Sequence, residues 1–251
     1  MTSRKYPIAD IKILYGLAAG RCAFPDCRRE VIIESTDADE SKQIGKIAHI
    51  VGHSDGGPRG DPDYPREELD TYKNWVLLCP TCHDTFDAQD NTYTVDFLLK
   101  LKADHECWVR TSLASEILGV GFAELEVVAK AIIAATAPIS ADFSVTPPQA
   151  KMERNGLTKP VHMLITMGLS KSKEVYSFVQ HVAEMDVDFP ERLKAGFVAE
   201  YNRLLSTGLM GDALFEAMHE FSSGGSQDFK RQAAGLAVLS HLFEACEVFE
   251  K

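Results

Sequence analysis

The sequence predicts an α+β chain in two parts, a small mixed domain followed by an all-α domain. Three observations carry that prediction. Short apolar runs, among them Val31-Ile32-Ile33 and Trp75-Val76-Leu77-Leu78, alternate with cysteine pairs in the first part. Gly, Pro and Asp crowd residues 52–70 and mark an irregular loop there. Near residue 115 the character changes, and apolar residues recur from there at helical spacing. The predicted boundaries are 1–115, a helix and Pro-containing connector over 116–150, and 151–251.

Taken in order, residues 7–20 carry apolar positions three and four apart, predicting a short helix capped by Asp10 and ending at Gly20. A turn with Cys22 and Cys27 follows, then a strand over 31–34, a polar loop over 36–43 and a strand over 44–51 that delivers His49 at its end. Trp75 to Leu78 is a third apolar run, entering Cys79 and Cys82. A helix is predicted from His83 onward, and another over 95–109 that buries Leu98, Leu99, Leu101 and Trp108. Residues 117–137, alanine-rich and free of proline, predict a helix, and 140–149 a linker. Further helices are expected over 161–167, 171–185, 189–205, 211–221 and 228–249. Gly168, Gly208, Gly211 and Ser222-Ser223-Gly224-Gly225 supply the breaks.

A length of 251 residues, 45% of them hydrophobic and 25% charged, leaves room for two modest cores and excludes wholesale disorder. No apolar run approaches the roughly eighteen residues a membrane span needs. The first residues are charged and lack a secretory apolar stretch, so a cytoplasmic protein without a membrane role is expected.

Of six cysteines, four form two close pairs, while Cys107 and Cys246 stand alone. Cys22 with Cys27, and Cys79 with Cys82, offer four thiolates for a tetrahedral structural Zn2+. The gap of 51 residues between the pairs means that the metal closes a long loop. Paired redox thiols are the alternative.

That loop holds His49 and Asn74, and His83 adjoins the second cysteine pair. Hydrolysis of a phosphodiester needs an activated water and a cation that stabilises charge on phosphate and leaving oxygen. A histidine neutral near pH 7 takes the proton of the water, a second histidine holds the cation, and an asparagine, which cannot ionise, fixes the loop.

The stretches Ala48-His49-Ile50-Val51, Gly57-Pro58-Arg59, Asn74 to His83 and Lys102-Ala103-Asp104-His105-Glu106 resemble, in order, the HNH endonuclease family, over about residues 21–110. The resemblance implies a ββα-metal fold with a flanking zinc site. It makes His49 the general base, Asn74 the structural asparagine and His83 a metal ligand. Many members carry an Asp before the base histidine as a cation ligand, and Ala48 stands there in this sequence. A carboxylate must then come from elsewhere, with Asp61 and Asp87 as candidates, or His83 holds the cation with phosphate and water. Mg2+ is the first expectation, with Mn2+ or nickel as substitutes. Asp87 lies four residues after His83, on the same helical face, and reads equally as a ligand or a solvated cap.

The substrate so implied is DNA, and the formal net charge of −11 sits awkwardly with it. Residues 1–115 hold 14 Lys+Arg against 19 Asp+Glu. Lys46, Arg59 and Lys73 are the candidate nucleic-acid contacts, with Arg59 reading equally as a partner of loop carboxylates. The imbalance predicts that another subunit brings the chain to DNA. His53 reads as a solvent-facing loop residue rather than a second catalytic part, and His105-Glu106 as packing of the zinc module.

Beyond residue 145 no catalytic constellation is present, which predicts a docking or oligomerisation surface, or a structural prop. Lys151-Met152-Glu153-Arg154-Asn155-Gly156-Leu157, Phe189 to Phe197, Gly211-Asp212-Ala213-Leu214-Phe215 and Cys246-Glu247-Val248-Phe249-Glu250 resemble the C-terminal domain of effectors in Lamassu-type defence systems. That resemblance implies an SMC-like, Rad50-like ATPase and a small third subunit as partners. It also implies self-association into an oligomer on activation. A stand-alone restriction-like nuclease and a non-catalytic zinc adaptor are the rival readings.

Overall fold

The computed structural model describes residues 4–33, 38–134, 148–245 and Phe249. The chain is α+β and divides into two compact units, Met1–Arg110 and Thr111–Lys251.

In the first unit, helix α1 (Ile8–Leu17) ends in a left-handed turn at Ala19 and Gly20. Asp10 does not cap it: its carboxylate accepts the amide of Tyr72, tying α1 to the 3-10 turn Tyr72–Asn74. Two small antiparallel sheets follow. Strand β1 (Ile32–Ile33) pairs with β2 (Lys42–Gln43), so part of the expected polar loop is strand. Strand β3 (Lys46–His49) pairs with β4 (Trp75–Leu78), Lys46 opposite Leu78 and His49 opposite Trp75. All four residues of β4 are buried, as befits a strand covered on both faces. Between these strands runs the long loop, with the short helix α2 (Arg66–Leu69) near its end.

Helix α3 (Pro80–Ala88) opens on a proline, whose missing N–H costs nothing in the first turn, and packs on β3 and β4. The core beneath joins Leu14, Val31, Ala48, Ile50, Trp75, Leu77, Phe86, Leu98 and Leu101. Helix α4 (Val95–Leu118) runs well past the predicted end at 109. Leu98 and Leu101 are buried as expected and Trp108 is half-buried, but Leu99, one position round the helix, is 50% exposed.

The second unit is helical. The predicted helix over 117–137 is instead split: α4 stops at Leu118, and Gly119-Val120-Gly121 separates it from α5 (Phe122–Ala134). Glu124 Oε2 accepts the Gly121 amide at 3.0 Å and closes the new N-terminus. Residues 135–147, with most of the expected linker, lie outside the described residues; Pro148 and Gln149 already belong to α6 (Pro148–Arg154). Helices α7 (Lys159–Leu169), α8 (Ser172–Ala183), α9 (Phe189–Ser206), α10 (Gly211–Ser222) and α11 (Phe229–Ala245) follow. Helix α5 packs on α8, α9, α10 and α11. Helix α11 is buried almost all round, from Gln232 to Phe243, and packs against α5, α7, α8 and α10.

Gly208, Gly211, Gly224 and Gly225 have positive φ and do break helices, but Gly168 sits inside α7. A Cβ there would lie 2.2 Å from Ser240 Oγ and 2.7 Å from the Leu236 carbonyl, so this glycine lets α7 approach α11 closely. Among the described residues no helix is long and apolar enough to cross a membrane.

Candidate active site

Cys22 and Cys27 lie between α1 and β1, Cys79 directly follows β4, and Cys82 stands in the first turn of α3. Their Sγ atoms all lie within 4.8 Å of one another, a cluster able to hold a metal ion. Tetrahedral zinc with bonds of about 2.3 Å needs sulfurs roughly 3.8 Å apart. Cys27 Sγ is 3.8 Å from Cys79 Sγ, so the donor set fits structural zinc. Burial pushes the Cys22 thiol up to about 11, although the amides of Cys79 and Phe24 face its sulfur. Such buried thiols stay protonated unless a cation displaces the protons. The Ala23 amide donates to the Leu77 carbonyl at 2.8 Å, so the cysteine turn is also stitched to β4.

His49 is the last residue of β3 and only 8% exposed. Its Nε2 lies 3.1 Å from Asp70 Oδ1, and Asp70 Oδ2 faces His53 Nε2 at 3.7 Å. The Lys5 amide also donates to Asp70 Oδ2, at 2.7 Å. Burial lowers the pKa of His49 below its ordinary 6.5, with the Asp70 hydrogen bond pulling the other way. The ring is therefore neutral near pH 7. With Nε2–H given to Asp70, the lone pair falls on Nδ1.

Asn74 is buried and spans the loop. Its Oδ1 accepts the Val51 amide at 2.9 Å, and its Nδ2 donates to the carbonyls of Val51 at 3.0 Å and Leu69 at 3.1 Å. One side chain thus fixes the backbone just after His49 and the residue just before Asp70.

His83 stands on α3, with Nδ1 3.7 Å from Asp87 Oδ2 and 3.4 Å from Asp84 Oδ1. The other oxygen of Asp87 accepts from Arg59 Nη2 at 2.6 Å. Arg59 also donates to the carbonyls of Phe86 at 3.1 Å and His49 at 3.4 Å, and its side chain is 4% exposed. It serves as a buried brace between β3 and α3, held by a loop whose Gly52 and Gly60 leave no room for a Cβ, and is not a free phosphate clamp.

His49, His53, His83, Arg59, Asp87 and Arg4 line one cavity of about 90 Å³. Beside it, sharing Arg4 and His53, opens a cleft of about 1060 Å³ lined also by Lys5, Arg66 and Asp70. Among the described residues the four cysteines are the only three or more His, Cys, Asp or Glu side chains whose ligand atoms converge. In the cavity His83 and Asp87 stand as an imidazole–carboxylate pair, and among the described residues no three ligand atoms converge there.

Several expected residues lie elsewhere. Lys46 is at the opposite end of β3 from His49, beside Leu78, and neither Lys46 nor Lys73 lines the cavity or the cleft. Asp61 accepts the Asp63 amide in a turn and lines neither. Ala48 is packed in the core, 1% exposed. His105 is buried: Nε2 lies 3.1 Å from the Ala18 carbonyl, Nδ1 touches Arg28, and the ring stacks on Trp108. It joins α4 to α1 and the cysteine turn, and Glu106 pairs with Lys102 one turn back. His53 does not face solvent, its side chain being 9% exposed.

Sequence reasoning missed Asp70, Arg4 and Arg66. Asp70 is one of several acidic residues in a polar loop, and nothing in its spacing sets it apart; only the closure of the loop by Asn74 brings it to His49. No family model matches the chain, and none of the curated proteins compared with it does.

Proposed function

We propose that the chain is a metal-dependent endonuclease of the HNH type, cutting DNA by phosphodiester hydrolysis. The observation that carries this reading is the convergence of His49, from the end of β3, and His83, from α3, on one cavity. The loop between them is pinned by Asn74. In this reading His49 takes the proton of the attacking water through Nδ1, and Asp70 holds the ring. His83, with Asp87, would hold Mg2+ or Mn2+. When bound, the cation supplies charge stabilisation at the phosphate and the leaving oxygen. The zinc cluster keeps the turn, β4 and α3 together around this site.

The proposed setting is an assembly with an SMC-like ATPase and a small third subunit, in which the chain is the DNA-cutting effector and oligomerises on activation. The net charge of −11 supports it, since the chain is poorly equipped to gather DNA by itself. Exposed Met185, Val187 and Met210 on the helical unit also suit docking. We place the chain in the cytoplasm.

The test is plasmid and linear DNA cleavage with Mg2+ or Mn2+, by the chain alone and assembled with partners. Wild type cuts, and His49→Ala does not while keeping its melting temperature. A His49→Ala protein that still cuts removes the mechanism. A wild type inert in every assembly leaves a zinc adaptor. Tight, salt-steep binding of one duplex by the chain alone favours the restriction-like reading.

A further inference from the structure

The chemistry above leaves His53 unused, yet the structure sets it against the same carboxylate as His49. It stands in a loop rich in Gly and Asp, but its side chain is nearly enclosed. Arg66 Nη1 donates to its backbone carbonyl at 3.5 Å, and the Gly52 amide beside it is tied to the Arg59 carbonyl at 2.9 Å. The two imidazoles share one carboxylate, each Nε2 facing a different oxygen of Asp70, at 3.1 Å and 3.7 Å. Their rings meet edge to face with centroids 5.8 Å apart, and both line the same cavity.

We propose that His53 is the general acid of this site, giving a proton to the oxygen that leaves phosphorus while His49 takes one from the attacking water. The inference rests on the hydrolase reading and extends it. With Nε2 of each ring turned to Asp70, Nδ1 of each is left for the substrate. One carboxylate thus orients both rings beside each other on one cavity, the arrangement that an acid and a base acting together require. The need is specific to this chain. Ala48 stands where a carboxylate ligand is common, and among the described residues Asp87 is the one carboxylate lining the cavity, so the leaving oxygen gains from a proton donor.

The step balances. A water O–H proton passes to His49 Nδ1 as the water oxygen bonds to phosphorus. The bond from phosphorus to the leaving oxygen breaks, its electron pair stays on that oxygen, and the oxygen takes the Nδ1 proton of His53. His49 ends as imidazolium and His53 neutral, and exchange with solvent resets both.

The experiment compares a DNA duplex, whose leaving alkoxide needs a proton, with bis(4-nitrophenyl) phosphate, whose nitrophenolate leaves without one. Wild type, His53→Gln, His53→Asn and His49→Gln are assayed with Mn2+, each scored only if its melting curve matches wild type. The expected result is a kcat on DNA lower by about a hundredfold or more in both His53 variants. Their rate on the aryl ester should stay near wild type, whereas His49→Gln loses both. Equal losses on the two substrates, undiminished DNA cleavage, or His53 variants that never reach the wild-type fold overturn the assignment and leave the nuclease reading standing. A wild type inert on both substrates, alone and in every assembly, overturns the hydrolase reading, and the general acid with it.

Discussion

Asp70 Oδ1 lies 3.1 Å from His49 Nε2, although the two residues are 21 positions apart and sit on opposite flanks of the loop. The carboxylate selects the tautomer that leaves the lone pair on Nδ1, and its hydrogen bond raises a pKa that burial lowers. Asp70→Asn keeps the shape but can present an N–H to Nε2, which favours the wrong tautomer. The expected outcome is a loss of about a hundredfold or more in kcat with KM little changed. The acid limb of the pH–rate profile should move lower, because the hydrogen bond holding the His49 pKa up has gone. An unchanged profile would deny Asp70 this positioning role.

The pH dependence of stability follows from the same imidazole. His49 is buried neutral, so its folded pKa lies below 6.5 while the unfolded chain titrates near the ordinary value. Its contribution is complete above about pH 6.5. As pH falls, the unfolded state binds the proton first, and stability is lost until the lower folded pKa is passed. His219 and His241 are shifted the same way by burial, so the readout is a difference. Urea unfolding between pH 5 and 7.5 should show a shallower acid decline in His49→Gln than in wild type.

The sequence made the strands that carry the site readable. Trp75-Val76-Leu77-Leu78, read as an apolar run, forms β4, because such a run bounded by a polar turn and a cysteine has few other ways to be buried. The cysteine spacing led directly to the cluster. Arg59 and Asp70 were not readable in the same way. Their partners are set by how a glycine-pinched loop closes, and neither charge nor spacing encodes that. The break between α4 and α5 was missed for a local reason: Gly119 and Gly121 flank one apolar residue inside a stretch otherwise rich in helix formers.

The four-cysteine cluster makes a separate prediction. Cys79 sits at the junction of β4 and α3, and its Sγ lies 3.8 Å from that of Cys27 in the other pair. Removing one thiolate from a four-thiolate site weakens zinc by several orders of magnitude, and that binding energy is folding energy. Elemental analysis of wild type should find about one zinc per chain, and of Cys79→Ser far less. The variant should melt at a lower temperature, with chelator lowering wild type to match. A Cys79→Ser protein that melts like wild type would contradict the structural role.

Gly168 offers a test in the second unit that no catalytic residue touches. A methyl group there would meet Ser240 Oγ at 2.2 Å, the Ser240 Cβ at 2.7 Å and the Leu236 carbonyl at 2.7 Å. The first contact can be relieved by turning or trimming the serine, whose buried Oγ has no hydrogen-bond partner. The third is backbone of α11 and cannot move without shifting the most buried helix of the unit. Gly168→Ala should therefore cost about 1–3 kcal/mol in denaturant unfolding, with a helix-propensity gain of up to about 1 kcal/mol already offset. Adding Ser240→Ala should recover only part of the loss, because the clash with the Leu236 carbonyl remains. Full recovery in the double variant would mean that the serine alone sets the distance between α7 and α11, whereas a partial one assigns it to the two backbones.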